Sequence, residues 1–317
     1  MTANTVPAIP GPTCPLTGDG DVDVLEAIPA AHLIDGYRRQ FRIDVAAAFR
    51  GVATIELCRA AASGLMFFHP MVAGPPDMYA KLRALPWYDP ADKAEFRIAA
   101  RHIGDGDRVL DIGCGRGRFA RAIPNARYVG LESAAAGTGE ARAPGIEVRN
   151  TSLADEAAAA PGGYDAVTAF QVLEHVTDPA GFLAAALRCL KPGGRIALGV
   201  PASDSYVAGI ADMVLNAPPH HVTWWTADAL RHAAKRLGLT DVDIVRPGVE
   251  PWESRLYWTQ RLAFPRGTPF GRKFAASRSG RARLVAGYLA AGMVDRLVRP
   301  GRAALGSTMV MTARKPR

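Results

Sequence analysis

Cysteine is scarce in this chain, and what there is stands apart. Cys14, Cys58, Cys114 and Cys189 form no CxxC pair, so neither a zinc ribbon nor a disulfide framework follows. A reducing, cytoplasmic compartment is the expectation. Long hydrophobic runs are missing as well. No stretch of about 18 apolar residues occurs, so no spanning helix is expected. Met1 to Asp23 lacks both the basic and the apolar region of a signal peptide. No internal repeat is visible. Aromatic residues make up 8% and charged residues 21%, against 49% hydrophobic, which excludes a disordered or fibrous chain and describes a globular one.

Acidic residues are scarce in one place only. From Glu250 to Arg317 there are 14 Lys/Arg and 3 Asp/Glu, leaving 24 against 27 in the other 249 residues. The net charge of +8 therefore belongs to the C-terminal stretch, and nucleic acid is not expected as a partner of the whole chain. Such a patch suits phosphates, nucleotide-linked substrates or an anionic membrane surface.

At 317 residues the chain has room for about two structural units or one enlarged α/β domain. Residues 1–20 read as a lead rich in Pro, Gly and Thr. His32 to Phe49 has helical spacing, Gly64 to Phe68 reads as a short buried strand, and Pro75-Pro76 breaks the chain. Ala91 to Ile103 is predicted as an amphipathic helix. Beyond Gly104 strand-like runs at 107–112, 126–132, 145–149, 164–170, 194–200, 240–246 and 307–314 alternate with helix-like runs at 117–123, 178–190 and 226–237. Alternation of this kind predicts a doubly wound α/β fold with a mostly parallel sheet. The long stretch 247–306 before the last strand is an insertion, and long insertions are often functional.

Val109 to Phe119, VLDIGCGRGRF, is a buried strand running into a glycine-rich turn and then a helix. Gly113, Gly115 and Gly117 let the backbone turn tightly and approach a ligand, at the carboxyl end of a strand where open α/β sheets bind ligands. The spacing is GxGxG rather than the GxGxxG of a pyrophosphate cradle. Asp111, two residues before the first glycine, would repel a diphosphate and suits a positively charged amino-acid moiety. Glu132 ends the next strand and is placed to accept hydrogen bonds from ribose hydroxyls.

With these residues in view the chain from about Ala91 to Leu239 resembles the ubiquinone-biosynthesis-type class I methyltransferases. The resemblance rests on VLDIGCGRG (109–117), YVGLES (128–133), YDAVTAFQVLEHVTDP (164–179) and LKPGGRIALGVP (190–201). It implies a Rossmann-like, seven-stranded sheet with an antiparallel last strand at 307–314, and S-adenosylmethionine as cofactor. It further implies that Ser152 and Leu153 approach the adenine and that Phe170 and Gln171 lie near the methionine part. The stretch Pro218 to Val222, PPHHV, and the Phe-Phe-His-Pro run at 67–70 also resemble methyltransferases of glycan and natural-product sugar pathways. Many of those carry two zinc-binding CxxC pairs. Only Cys14 and Cys58 remain here, too few for a four-coordinate structural site, so no metal is expected.

The expected organisation is an accessory segment at 1–88, a cofactor-binding core at 89–246, a basic helical insertion at 247–306 and the core's final strand at 307–317. The expected reaction is methyl transfer, at oxygen, to a small molecule or sugar. A non-catalytic cofactor-binding scaffold and an NAD-dependent oxidoreductase are the alternatives, the latter disfavoured by the GxGxG spacing and Asp111. His175 reads either as a general base or as a shaper of the pocket beside Glu174. His220 and His221 read as substrate-facing groups or as loop packing. The three do not have the sequence spacing of a metal site. Trp224 and Trp225 read as core rather than as a stacking wall. Arg281 to Leu305 has apolar residues at helical spacing among five arginines. It suits either a lid with its apolar face on the domain, the preferred reading, or a peripheral contact with a membrane.

Overall fold

The computed structural model describes residues 11–85, 87–132, 146–274 and 278–317. Its centre is a seven-stranded sheet in the order β10-β11-β8-β7-β4-β5-β6. These strands are β4 (Arg108–Ile112), β5 (Arg127–Leu131), β6 (Glu147–Arg149), β7 (Tyr164–Phe170), β8 (Leu190–Pro201), β10 (Thr240–Val245) and β11 (Thr308–Arg314). Strands β4 to β8 pair in parallel, and β11 enters antiparallel between β8 and β10. The doubly wound sheet and its antiparallel last strand are thus as the sequence predicts. The central strands read as near-continuous apolar runs because both faces are covered. Val109, Leu110, Ala166, Val167 and Ala169 are all essentially inaccessible.

The covering helices have local causes. Helix α4 (Leu153–Ala159) starts at Ser152, whose hydroxyl accepts the Asp155 N–H. Helix α5 (Pro179–Cys189) starts at Asp178, which accepts from Gly181 N–H, with Pro179 at the first turn. Helix α6 (Ala227–Arg236) starts at Thr226, which accepts from Ala229 N–H. All three are side-chain caps of ordinary type. The helix expected at 117–123 is only a 3-10 turn, Arg118–Ala122. Pro124 removes a backbone donor two residues later, and the turn is anchored instead by the buried Phe119 and Ile123. Helix α3 (Ala94–Ala100) is shorter than the run 91–103.

The N-terminal part holds a second, four-stranded antiparallel sheet, β1-β2-β3-β9. It comprises β1 (Val22–Pro29), β2 (Thr54–Ala60), β3 (Met66–His69) and, from far along the chain, β9 (Thr223–Trp224). Helix α1 (Ala30–Phe41) lies against it, Leu33 and Tyr37 being fully buried. Cys14, Leu16, Cys58 and Phe67 share one apolar cluster with the central sheet. Pro75-Pro76 does more than break the chain: Pro76 is the first residue of helix α2 (Pro76–Arg83), a position where a missing N–H costs nothing. Trp224 and Trp225 are buried, in line with the core reading.

The insertion is a pair of helices, α7 (Ser254–Ala263) and α8 (Arg278–Leu297). A bridge between Gly248 and Leu305 closes its base, and the Ser307 hydroxyl donates to Glu253 at 2.7 Å. Gly287 and Ala291 of α8 face α7, a Cβ at Gly287 meeting Ala263 at 2.5 Å. The preferred reading, that the apolar side of this helix lies on the domain, holds for these small residues and for Leu284, which packs against the cluster of Ile210, Ala211, Ala263 and Phe264. Val285, Leu289, Met293 and Leu297, four residues apart, are exposed, Leu297 by 85%. No described helix is long and apolar enough to cross a membrane.

Candidate active site

The carboxyl ends of β4, β5 and β7 open into one cavity of ≈ 400 Å³, within the range of small-molecule sites. Asp111, Gly113, Gly115, Glu132, Phe170, Gln171, His175, His220 and His221 all line it. Gly117, Ser152 and Leu153 do not. A Cβ at Gly117 would meet Ile146 at 2.1 Å, and Ser152 is engaged in capping α4.

The glycine turn is built by the strand beside it. Gly113 and Cys114 N–H both donate to the Leu131 carbonyl, at 2.8 and 3.0 Å, and Gly115 N–H donates to Glu132 Oε2 at 3.0 Å. Gly113 and Gly115 have φ of +67° and +53°, which an L side chain adopts only at a cost. A Cβ at Gly113 would press on Val172 at 2.6 Å, whereas at Gly115 it would meet none of the described residues within 4 Å. Gly115 is therefore the point where a ligand can touch backbone.

Asp111 is buried between neighbours in register. Tyr128 of β5 donates to its Oδ2 at 2.6 Å and Thr168 of β7 to its Oδ1 at 2.8 Å. Burial raises its pKa to about 6, against the opposing pull of those two hydrogen bonds. Glu132 is 9% exposed, with Arg83 Nη1 at 3.8 Å. Among the described residues Arg83 Nε and Nη2 are buried without a hydrogen-bond partner, and Arg83 lines the cavity, where a ligand's oxygens would satisfy them.

The far end of the cavity belongs to the histidines. His175 Nδ1 donates to the His220 carbonyl at 2.5 Å, His220 Nδ1 to the Leu215 carbonyl at 2.8 Å, and His221 Nδ1 to Asn216 Oδ1 at 3.0 Å. Tyr88 OH donates to His220 Nε2 at 2.6 Å. Burial holds all three rings neutral. It lowers the His175 pKa to about 4, against the carbonyls of His220 and Gln171. It drives His220 and His221 further down, each helped by its neighbouring histidine. Far apart in sequence, His175 and the 220–221 pair are brought together because Val222 N–H donates to the Glu174 carbonyl at 2.8 Å. Linear spacing could not show this.

Between the two ends, Gln171 has φ +57°, strain of the kind that collects at functional sites. Its amide donates to Glu95 Oε2 at 2.9 Å. Burial raises the Glu95 pKa, with Lys93 opposing. A second cavity of ≈ 220 Å³ adjoins the first. Tyr88, Lys93, Gln171, His220 and His221 line both. Trp87, Met213, Leu215 and Trp252 add an apolar wall to the second. The sequence reading missed Tyr79, Arg83, Tyr88, Lys93 and Glu95. They sit on α2, α3 and the chain between, which carry no motif; only proximity after folding marks them.

Comparison with known proteins gives the family. A family model described as "Methyltransferase domain" matches residues 82–244. A ubiquinone biosynthesis O-methyltransferase of Xanthomonas oryzae pv. oryzae is 33% identical over 184 residues, covering 52% of this chain and 75% of that protein. The protein of the same description from Sodalis glossinidius is 37% identical over 99 residues, or 29% of this chain and 40% of that one. Among solved structures, the Haemonchus contortus phosphoethanolamine N-methyltransferase 2 complex with S-adenosyl-L-methionine covers 93% of this chain and 69% of that one. Its identity is 16% and its TM-score 0.48. The residues of the first cavity fit such a cofactor. Glu132 and the partnerless Arg83 nitrogens offer an acceptor and donors for hydroxyls, Gly115 gives access to backbone, and Asp111 supplies negative charge. From its fold, its glycine turn and the family match, the chain belongs to the methyltransferase-domain family and is a Rossmann-like, S-adenosylmethionine-dependent methyltransferase.

Proposed function

We propose that this chain methylates a hydroxyl oxygen of a small molecule, a sugar among the candidates, that enters through the second cavity. The observation carrying this reading is the meeting of the two cavities at His221, a neutral imidazole with a lone pair to offer. Because Asn216 Oδ1 can only accept, His221 Nδ1 carries the ring proton and Nε2 keeps the lone pair. The name of the Xanthomonas relative, an O-methyltransferase, supports the same choice of atom.

When bound, the cofactor supplies a methyl group on a sulfonium, already activated for in-line displacement. The protein's work is alignment, and effective molarity alone can contribute about 7–11 kcal/mol. Glu132 and Arg83 would hold the ribose hydroxyls. Asp111, oriented by Tyr128 and Thr168, would set negative potential for the amino-acid ammonium, and Phe170 and Gln171 would border the methionine part. His221 Nε2 takes the hydroxyl proton, and the Asn216 carbonyl at Nδ1 steadies the resulting imidazolium. His175 and His220 complete the wall that faces the acceptor. The apolar side of the second cavity suits the body of a phenol or lipid-like acceptor.

The test is transfer from cofactor labelled in its methyl group to a panel of phenols and sugars, with the product's methylated atom read by NMR. O-methyl product, with kcat reduced about 100-fold in His221→Gln, is expected. Methyl found on nitrogen or carbon, or full activity in His221→Gln, would refute the reading.

A further inference from the structure

We infer that His175, His220 and His221 form a binding site for one divalent first-row transition ion, zinc being the default. One ring nitrogen of each lies within 4.8 Å of one from each of the others, and no other group of three or more His, Cys, Asp or Glu among the described residues meets that criterion. A tetrahedral zinc site with bonds of about 2.0–2.1 Å needs nitrogens about 3.4 Å apart. The widest pair must therefore close by about 1.4 Å, a side-chain movement.

The proton bookkeeping points the same way. Each Nδ1 faces an oxygen that can only accept: the His220 carbonyl, the Leu215 carbonyl and Asn216 Oδ1. Each Nδ1 therefore holds the proton and each Nε2 the lone pair. This is the outer arrangement of metal-bound histidines, where the distal N–H is held by a carbonyl or carboxylate. Tyr88 OH now covers the His220 lone pair and is the group the ion displaces.

A second, independent feature is Glu174. It is 1% exposed, and among the described residues neither carboxyl oxygen has a hydrogen-bond partner beyond its own backbone N–H. Its Oε1 lies 3.8 Å from His175 Nε2. Buried polar oxygens without a protein partner call for one, and a divalent cation bound at the adjacent histidine supplies it. Three imidazoles leave a coordination position open, as in catalytic zinc sites. That position faces both cavities, where an acceptor hydroxyl would lose its proton more readily. An occupied site takes over the task assigned above to His221 Nε2. The inference rests on the methyl-transfer reading only for this consequence; ion binding does not depend on it.

The experiment uses tag-free, chelator-treated protein titrated calorimetrically with Zn²⁺, and separately with Co²⁺ followed by its visible absorption. His175→Gln and His221→Gln variants run alongside, their folding checked by thermal midpoint. One ion per chain is expected, with affinity at least about 10-fold weaker in each variant and Co²⁺ bands of a low-coordinate nitrogen site. Absence of stoichiometric binding, or binding equal in wild type and both variants, would overturn the inference. Methyl transfer assayed with and without added Zn²⁺ separates the two proposals. Undiminished transfer by an ion-free chain that binds no ion removes the metal and leaves the methyl-transfer reading. Stoichiometric binding lost in the variants, with no O-methyl product under any condition, does the reverse.

Discussion

Asp111 offers the sharpest physical test of how the cofactor end is built. Its carboxyl is buried, and its pKa of about 6 stands above the ordinary 3.8. Protons therefore bind the folded state more tightly than the unfolded one. Stability is fully present below about pH 4 and is lost as pH rises towards 6, because the unfolded chain releases its proton first. At about 1.4 kcal/mol per pH unit, ionised Asp111 costs the fold about 3 kcal/mol above pH 6. Asp111→Asn keeps the shape, and its amide oxygen can still accept from Tyr128. The variant's stability relative to wild type should therefore grow by about 3 kcal/mol between pH 4 and pH 7.5, whatever the constant offset from altered hydrogen bonding. Urea unfolding at four pH values, read as the difference between the two proteins, measures this. A difference that stays flat with pH would show that Asp111 is not held against its charge. The same variant should bind S-adenosylhomocysteine more weakly, an instance of stability surrendered at a binding site.

Other substitutions test neighbouring parts. Glu132→Ala should abolish detectable S-adenosylhomocysteine binding by calorimetry while leaving the fold intact; normal binding would contradict the ribose assignment. Arg83→Met should weaken the same binding by about 10-fold, since Nε and Nη2, without a partner among the described residues, are donors left for the ligand. Gly113→Ala should cost more in urea unfolding than Gly115→Ala, which bears only the left-handed penalty of about 1–2 kcal/mol. At Gly113 the contact with Val172 adds to it, and equal costs would refute the packing described. Trp225→Ala should lower stability by about 3–5 kcal/mol, confirming by chemical denaturation that this tryptophan is core rather than part of a binding wall.

Much of the central sheet was legible because burial on both faces leaves unbroken runs such as Val109-Leu110 and Ala166-Val167. Gly193 and Gly194 lie inside β8, while the caps at Asp178 and Thr226 set the starts of α5 and α6. Asp111, Gly115 and Glu132 were legible for a different reason: strand ends beside a tight turn form a local pattern, and local patterns survive in sequence. The remaining elements are set by distant contacts. Strand β9 is two residues long and exists because β3 pairs with it. Tyr88, Lys93 and Glu95 reach the cavity from chain without a motif. The histidines become a cluster only when the loop after the second proline is tied to Glu174. On α8 the periodicity is real, but it does not say which stripe faces α7; the small residues do, leaving Val285, Leu289, Met293 and Leu297 in solvent.

The measurement that bears most directly on the central claim is thermal unfolding of the purified protein with S-adenosylhomocysteine and, separately, with NAD. Ligand at about 100 times its dissociation constant adds roughly 2.7 kcal/mol, which for a chain of this length raises the midpoint by about 4 °C. A rise with S-adenosylhomocysteine alone, absent in Glu132→Ala, is the predicted result. A rise with NAD alone would contradict it.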